Sequence, residues 1–280
     1  MEQTVTLPAI ANEPPPAYPT LKESWASLGW FLLITIGLAL LVFVPVEAIG
    51  QVPKVVKTGL LYGLAILSNA LLVLWLRRRA GPGRWLRVRW QVPRRPGLAA
   101  GLLLLIVPAA AVLLSVQHFL HLPAWAAGKQ LATLAAHPVL GLLVGCVGAP
   151  VTEELLFRGV LLPGLLRNYS PAVAIGQTAL LFGIFHFNPA QALNAFLLGL
   201  LLGWVYYRCR SLWLCIGLHG LFNGLVLGIT LGRQLAGKPA PPSPAVQWAS
   251  YSLLLLVAAL VLAFSLRALA RSQAEPTVAT

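Results

Sequence analysis

Aspartate is absent from this 280-residue chain, and its seven carboxylate side chains, all Glu, face 20 Lys and Arg. Charged residues make up 10% of the sequence, against about 25% in a soluble domain, which excludes an ordinary soluble fold. The three cysteines (Cys146, Cys209, Cys215) lack metal-ligand spacing and lie in or at the ends of apolar runs. They read as small packing residues. No repeat relates the two halves and no pair of broken helices is visible, which argues against a transporter. What the chain has in abundance is apolar surface: 58% of residues are hydrophobic and mean hydropathy is +0.81. The expected fold is all-α, a polytopic membrane bundle of about eight transmembrane helices, too short to carry a substantial extramembrane domain as well.

Residues 1–24 read as a disordered, polar, Pro-rich N-terminal tail. A membrane-embedded bundle follows over 25–267, then a polar C-terminal tail over 268–280. The expected spans are Trp25 to about Glu47, Thr58–Leu76, Gly97–Phe119, Pro138–Leu166, Ser170–Phe187, Ala190–Tyr207, Leu212–Leu231 and Trp248–Leu266. Most suit a crossing of about 20 residues, whereas Pro138–Leu166 is longer than a bilayer core needs. Eight spans put both termini on one side. With the Arg77–Arg95 loop on that side too, it holds 14 Lys and Arg, the opposite side holds five, and Arg158 stands apart inside a span. This asymmetry orients both termini to the cytoplasm, in what is expected to be a bacterial plasma membrane. The basic loop, interleaved with Trp85 and Trp90, is expected to touch anionic membrane lipid and not nucleic acid. His118 and His121, three apart at a helix end with no carboxylate nearby, read as surface residues.

Four of the seven glutamates lie in the tails and Glu47 closes an apolar run, which leaves Glu153 and Glu154 inside a hydrophobic segment. Ionisable groups at membrane depth cost about 3 kcal/mol on insertion scales and persist where they pair or face a polar cavity. Glu154 and Arg158, four apart with Glu leading, are expected to form an ion pair on one helix face. Glu153 is turned by about 100° from that face, which leaves its carboxylate free for chemistry. Pro150 frees a backbone carbonyl and can kink the helix toward a cavity. Phe182-x-x-x-His186 closes the fifth span, and His219-x-x-x-Asn223 places two polar groups on one face of the seventh. Glu153 and His186 each lie about 16–17 residues from the turn between their helices, so they sit level in an antiparallel hairpin. The fifth span ends just after His186, a tension that would put its exit loop inside the bundle.

Glu-Glu-x-x-x-Arg, Phe-x-x-x-His and His-x-x-x-Asn, in this order on successive membrane helices, resemble the CPBP (Abi) family of intramembrane proteases. That family includes the type II CAAX prenyl endopeptidases and bacteriocin-processing or immunity proteins. The motifs span residues 153–223 within a helical core of 137–231; the remaining spans match in hydrophobic character alone. The resemblance implies a peptide-bond hydrolase acting near the C-terminus of a peptide or membrane protein, including prenylated CaaX termini. It implies Glu153 as the catalytic carboxylate, His186 helping to hold the attacking water, and His219 and Asn223 stabilising the oxyanion. Glu154, Arg158 and Phe182 would support the site. The chemistry agrees, since hydrolysis needs a base for water and donors aimed at the developing oxyanion. Glu153, His186 and His219 are also residue types that can bind Zn²⁺, so a metal stays open beside a slightly favoured metal-free glutamate mechanism. The alternative function is a non-proteolytic relative acting as a bacteriocin-immunity or scaffold protein.

Overall fold

A computed structural model describes residues 16–81, 84, 88, 90–120, 122–123, 127–236 and 244–273. Among them the chain is all-α, apart from one isolated bridge between Trp90 and Ser211. The helices are α1 (Leu21–Ile49), α2 (Lys54–Ala80), α3 (Pro96–Leu114), α4 (Ala127–Ala136), α5 (Pro138–Asn168), α6 (Pro171–Ile184), α7 (Pro189–Cys209), α8 (Leu212–Ala236) and α9 (Pro244–Gln273). A short 3₁₀ segment, Ser115–Leu120, extends α3. Seven of these helices are long and apolar enough to cross a membrane: α1, α2, α3, α5, α7, α8 and α9.

The fifth expected span, Ser170–Phe187, is corrected. It holds a helix of 14 residues, α6, whose length of about 21 Å falls short of a hydrocarbon core of about 30 Å. Asn188 ends the run by capping α7, its Oδ1 accepting from Gln191 N. Phe187 takes the left-handed conformation (φ 46°), and Phe31 of α1 stacks on both Phe187 and Phe185. A turn at such depth is tolerated where protein buries it. The chain then returns as α7, antiparallel to α6: a Cβ on Gly183 would meet the Ala192 carbonyl, one on Gly199 would meet Ala179, and one on Gly203 would meet Ile175. Gly199-x-x-x-Gly203 therefore packs inside the bundle. Because α6 and α7 go up and back as a pair, the start of α1 and the end of α9 still share one end.

That end collects the basic loops. Tyr18 N donates to the Arg84 carbonyl, Arg84 Nη2 lies 2.9 Å from Glu23 Oε2, and Arg94 N donates to Gln273 Oε1 at 2.8 Å. Residues 1–15, His121 and 274–280 lie outside the described residues, as does the side chain of His118. The expected tail over 1–24 stops being a tail at residue 16. Asn168 bonds Ala17 through both its amide groups, and the Tyr18–Pro19 backbone seats directly on Gly164, where no side chain intervenes. Thr20 and Glu23 then cap α1 reciprocally, so helix begins at Leu21, ahead of Trp25. Residues 268–273, expected as the start of a C-terminal tail, are likewise helical. Fully buried Leu269 and largely buried Ser272 keep α9 helical to Gln273.

Two apolar clusters fill the bundle. One joins α3, α7, α8 and α9 through Ile106, Leu202, Leu218 and Leu269. The other joins α1, α2, α5 and α6 through Phe31, Leu72, Phe157 and Phe182. The charged motif residues lie at the seam between them, where α5 meets α8.

Candidate active site

Helix α5 carries the first motif, and its backbone departs from α geometry on both sides of it, over Gly141–Gly148 and Phe157–Leu161. These π-helical stretches follow from proline placement. Ala149 N bonds Val144 O, five residues back. The next bond in that register would run from residue 150 to Gly145 O, and Pro150 has no N–H to give. The orphaned Gly145 carbonyl is met from α8, where Asn223 Nδ2 donates to it at 2.8 Å. Next to it, the Cys146 carbonyl presses on α8 at Gly220, where an added Cβ would lie 2.6 Å from the oxygen. The α5–α8 contact is thus backbone against backbone. Gly220→Ala is expected to lower stability by about 1–3 kcal/mol through overpacking, read as a fall in thermal midpoint in detergent.

Glu154 and Arg158 are fully buried and paired, with Arg158 Nη1 3.1 Å from Glu154 Oε1. Arg158 Nη2 donates to the Gly199 carbonyl of α7 at 2.9 Å, and the guanidinium lies over the Phe182 ring at 4.9 Å. His219 of α8, 3% exposed, completes the group. Its Nδ1 is 2.9 Å from Glu154 Oε1, and its Nε2 is 3.9 Å from Glu153 Oε2. With Glu154 ionised against Arg158, Nδ1 carries the proton and donates, so Glu154 sets the ring's tautomer and orientation. Nε2 is left facing Glu153. Glu153 is 17% exposed at its side chain and has no cation of its own, unlike its neighbour.

The Phe182 ring stands edge-on to both histidines, 5.7 Å from His219 and 5.2 Å from His186. His186 Nδ1 lies 2.8 Å from the Phe182 carbonyl, which holds the ring just past the end of α6. The structure thus brings Glu153, Glu154, Arg158, Phe182 and His219 into one contact group. It joins His186 to them through Phe182, and turns the amide of Asn223 onto Gly145. Sequence reasoning missed the Gly145 and Gly199 carbonyls as partners, although Pro150 was the visible signal for the first. Among the described residues, no three His, Cys, Asp or Glu side chains form a group that could hold a metal ion. Glu153, His186 and His219 therefore do not stand together as a ligand set for Zn²⁺. Cys209 and Cys215 are free and buried, and Cys146 is free and half-buried.

Asn223→Leu leaves the Gly145 carbonyl unpaired and is expected to destabilise the fold by about 1–3 kcal/mol. Comparison of unfolding midpoints with wild type checks this, and equal midpoints would contradict it.

Residues 135–225 match the family model described as Type II CAAX prenyl endopeptidase Rce1-like. The segment runs from the end of α4 into α8 and contains every motif residue above. Over that third of the chain, roughly, the protein is similar to the type II CAAX prenyl endopeptidases. Neither the curated proteins nor the solved structures contain a match to the chain.

Proposed function

We propose that this protein is an intramembrane endopeptidase that hydrolyses a peptide bond near the C-terminus of a peptide or membrane protein. A prenylated CaaX terminus is the substrate class that the matched family's description suggests. The observation that carries the reading is the asymmetry of the two carboxylates around His219. Glu154 is committed to Arg158 and to Nδ1, while Glu153 is uncommitted and faces Nε2 at 3.9 Å.

Glu153, with no guanidinium of its own, faces an imidazole whose other ring nitrogen is held by Glu154. That is the equipment of a general base beside a hydrogen-bond donor. Glu153 takes a proton from a water molecule held with His186, and the resulting hydroxide attacks the scissile carbonyl carbon. Protonated His219, through Nε2–H, and the second N–H of the Asn223 amide stabilise the oxyanion. The carbon–nitrogen bond breaks as Glu153 passes its proton to the departing amine, leaving a carboxylate and an amine. The mechanism is metal-free. By the distribution of basic loops, both termini face the cytoplasm, in the plasma membrane of a bacterium.

The test uses purified protein in detergent with a pooled peptide library, farnesylated CaaX peptides included. Wild type, Glu153→Ala and chelator-treated wild type are compared. Cleavage lost in the variant alone supports the reading. Loss on chelation, restored by Zn²⁺, would replace the metal-free step. No cleavage by wild type would favour an immunity or scaffold role.

A further inference from the structure

Helix α2 lies outside the matched segment, yet it runs alongside the part of α5 that carries Glu153. The two helices are parallel, since the Leu140 side chain approaches Gly59 and the Ile66 side chain approaches Gly148. Ile66 thus marks the direction from α2 to α5. Tyr62 and Asn69 are seven residues apart, within about 20° of each other around the helix and about 40–60° from Ile66. The register set by Ile66 and Gly148 puts Asn69 level with about residue 151, within one turn of Glu153. The same register puts Tyr62 about two turns before Asn69 on that face.

Asn69 is 4% exposed, and its buried Oδ1 has no hydrogen-bond partner. An unpaired amide oxygen in an apolar interior costs about 1–3 kcal/mol unless something meets it. No described residue does so, whereas the polar groups of α5 and α8 are largely paired with one another. A side-chain amide has one acceptor and one donor side by side, the same pair that an extended peptide unit presents.

We propose that α2 forms the substrate-facing wall of this site: Tyr62 and Asn69 line it beside Glu153, and the Asn69 amide pairs with the backbone of a peptide bound there. Asn69 is a positioning residue for the substrate, with its Oδ1 accepting a peptide N–H and its Nδ2 donating to a peptide carbonyl. This role rests on the hydrolytic reading above, but the placement of the wall does not.

Two readouts separate them. Infrared difference spectra of wild type against Glu153→Gln isolate the Glu153 carboxyl band. Asn69→Leu and the conservative Tyr62→Phe are each expected to shift that band. Leu67→Ala, on the exposed side of α2, is expected to leave it in place. On whichever library peptide wild type cleaves, Asn69→Leu is expected to raise KM by about three- to tenfold, the loss of one neutral hydrogen bond, with kcat within about twofold. Asn69→Gln should recover part of the loss. An unmoved band in both variants overturns the wall, whether or not the protein is a protease. A moved band with unchanged KM overturns the substrate role. If wild type cleaves nothing, the hydrolytic reading and the substrate role built on it both fall, while the band still decides the wall.

Discussion

Glu154→Ala is expected to destabilise the bundle by about 3–5 kcal/mol, the range for removing one partner of a buried ion pair. The size follows from what the substitution strands. Arg158 is fully buried, its Nε already lacks a partner, and the Gly199 carbonyl meets only Nη2. Without the carboxylate, a guanidinium charge remains at membrane depth with one neutral acceptor and the face of Phe182. His219 loses its Nδ1 partner as well. The double variant Glu154→Leu/Arg158→Met removes both charges and should recover most of the loss, because an apolar pair of similar volume needs no compensation. Thermal unfolding of the three proteins in the same detergent reads the effect. Single and double variants that fall equally would show that the pair's charge is not what holds α5 against α7.

The second large effect is on activity. Glu153→Gln keeps shape and volume but removes the base, and hydrolysis is expected to fall by about 10²–10⁴-fold. Its effect on stability should be small. Glu153 is part-exposed, makes no ion pair with Arg158, and lies beyond hydrogen-bond distance of His219 Nε2. The adjacent glutamates are thus expected to separate into a stability phenotype and an activity phenotype, measured by unfolding and by peptide cleavage on the same preparations.

That separation was legible in the sequence. Spacing of four joins Glu154 to Arg158 on one face and turns Glu153 away, and no tertiary information is needed for it. The all-α membrane architecture followed from the long apolar runs. The loop charges pointed to the clustering of Arg84 and Arg94 with the start of α1 and the end of α9. The shortness of α6 was half visible. Asn188-Pro189 marked the stop, but a turn within the membrane survives only when protein covers it, and Phe31 reaches it from a distant helix.

Other features were hidden because they depend on backbone register. Asn223 was recognisable as a polar group on α8, yet its partner exists only because a π-helical stretch aims the Gly145 carbonyl at Pro150, which has no proton to offer. The sharing of Glu154 by Arg158 and His219 requires two helices, α5 and α8, to converge on one carboxylate oxygen. Residues 16–20 look like the polar segment before them. They are ordered because Gly164, 145 residues further on, leaves room for the Tyr18–Pro19 backbone. Tyr18, largely buried outside the membrane-spanning segments, has its hydroxyl pKa pushed up to about 12, first by burial and then by Glu23.

Hydrolysis in ¹⁸O-labelled water, followed by mass spectrometry of the peptide products, tests the central claim most directly. The account predicts that wild-type protein releases fragments carrying one ¹⁸O at the new C-terminal carboxylate and that Glu153→Gln, folded to the same midpoint, releases almost none. Equal release of labelled product by both proteins would contradict it.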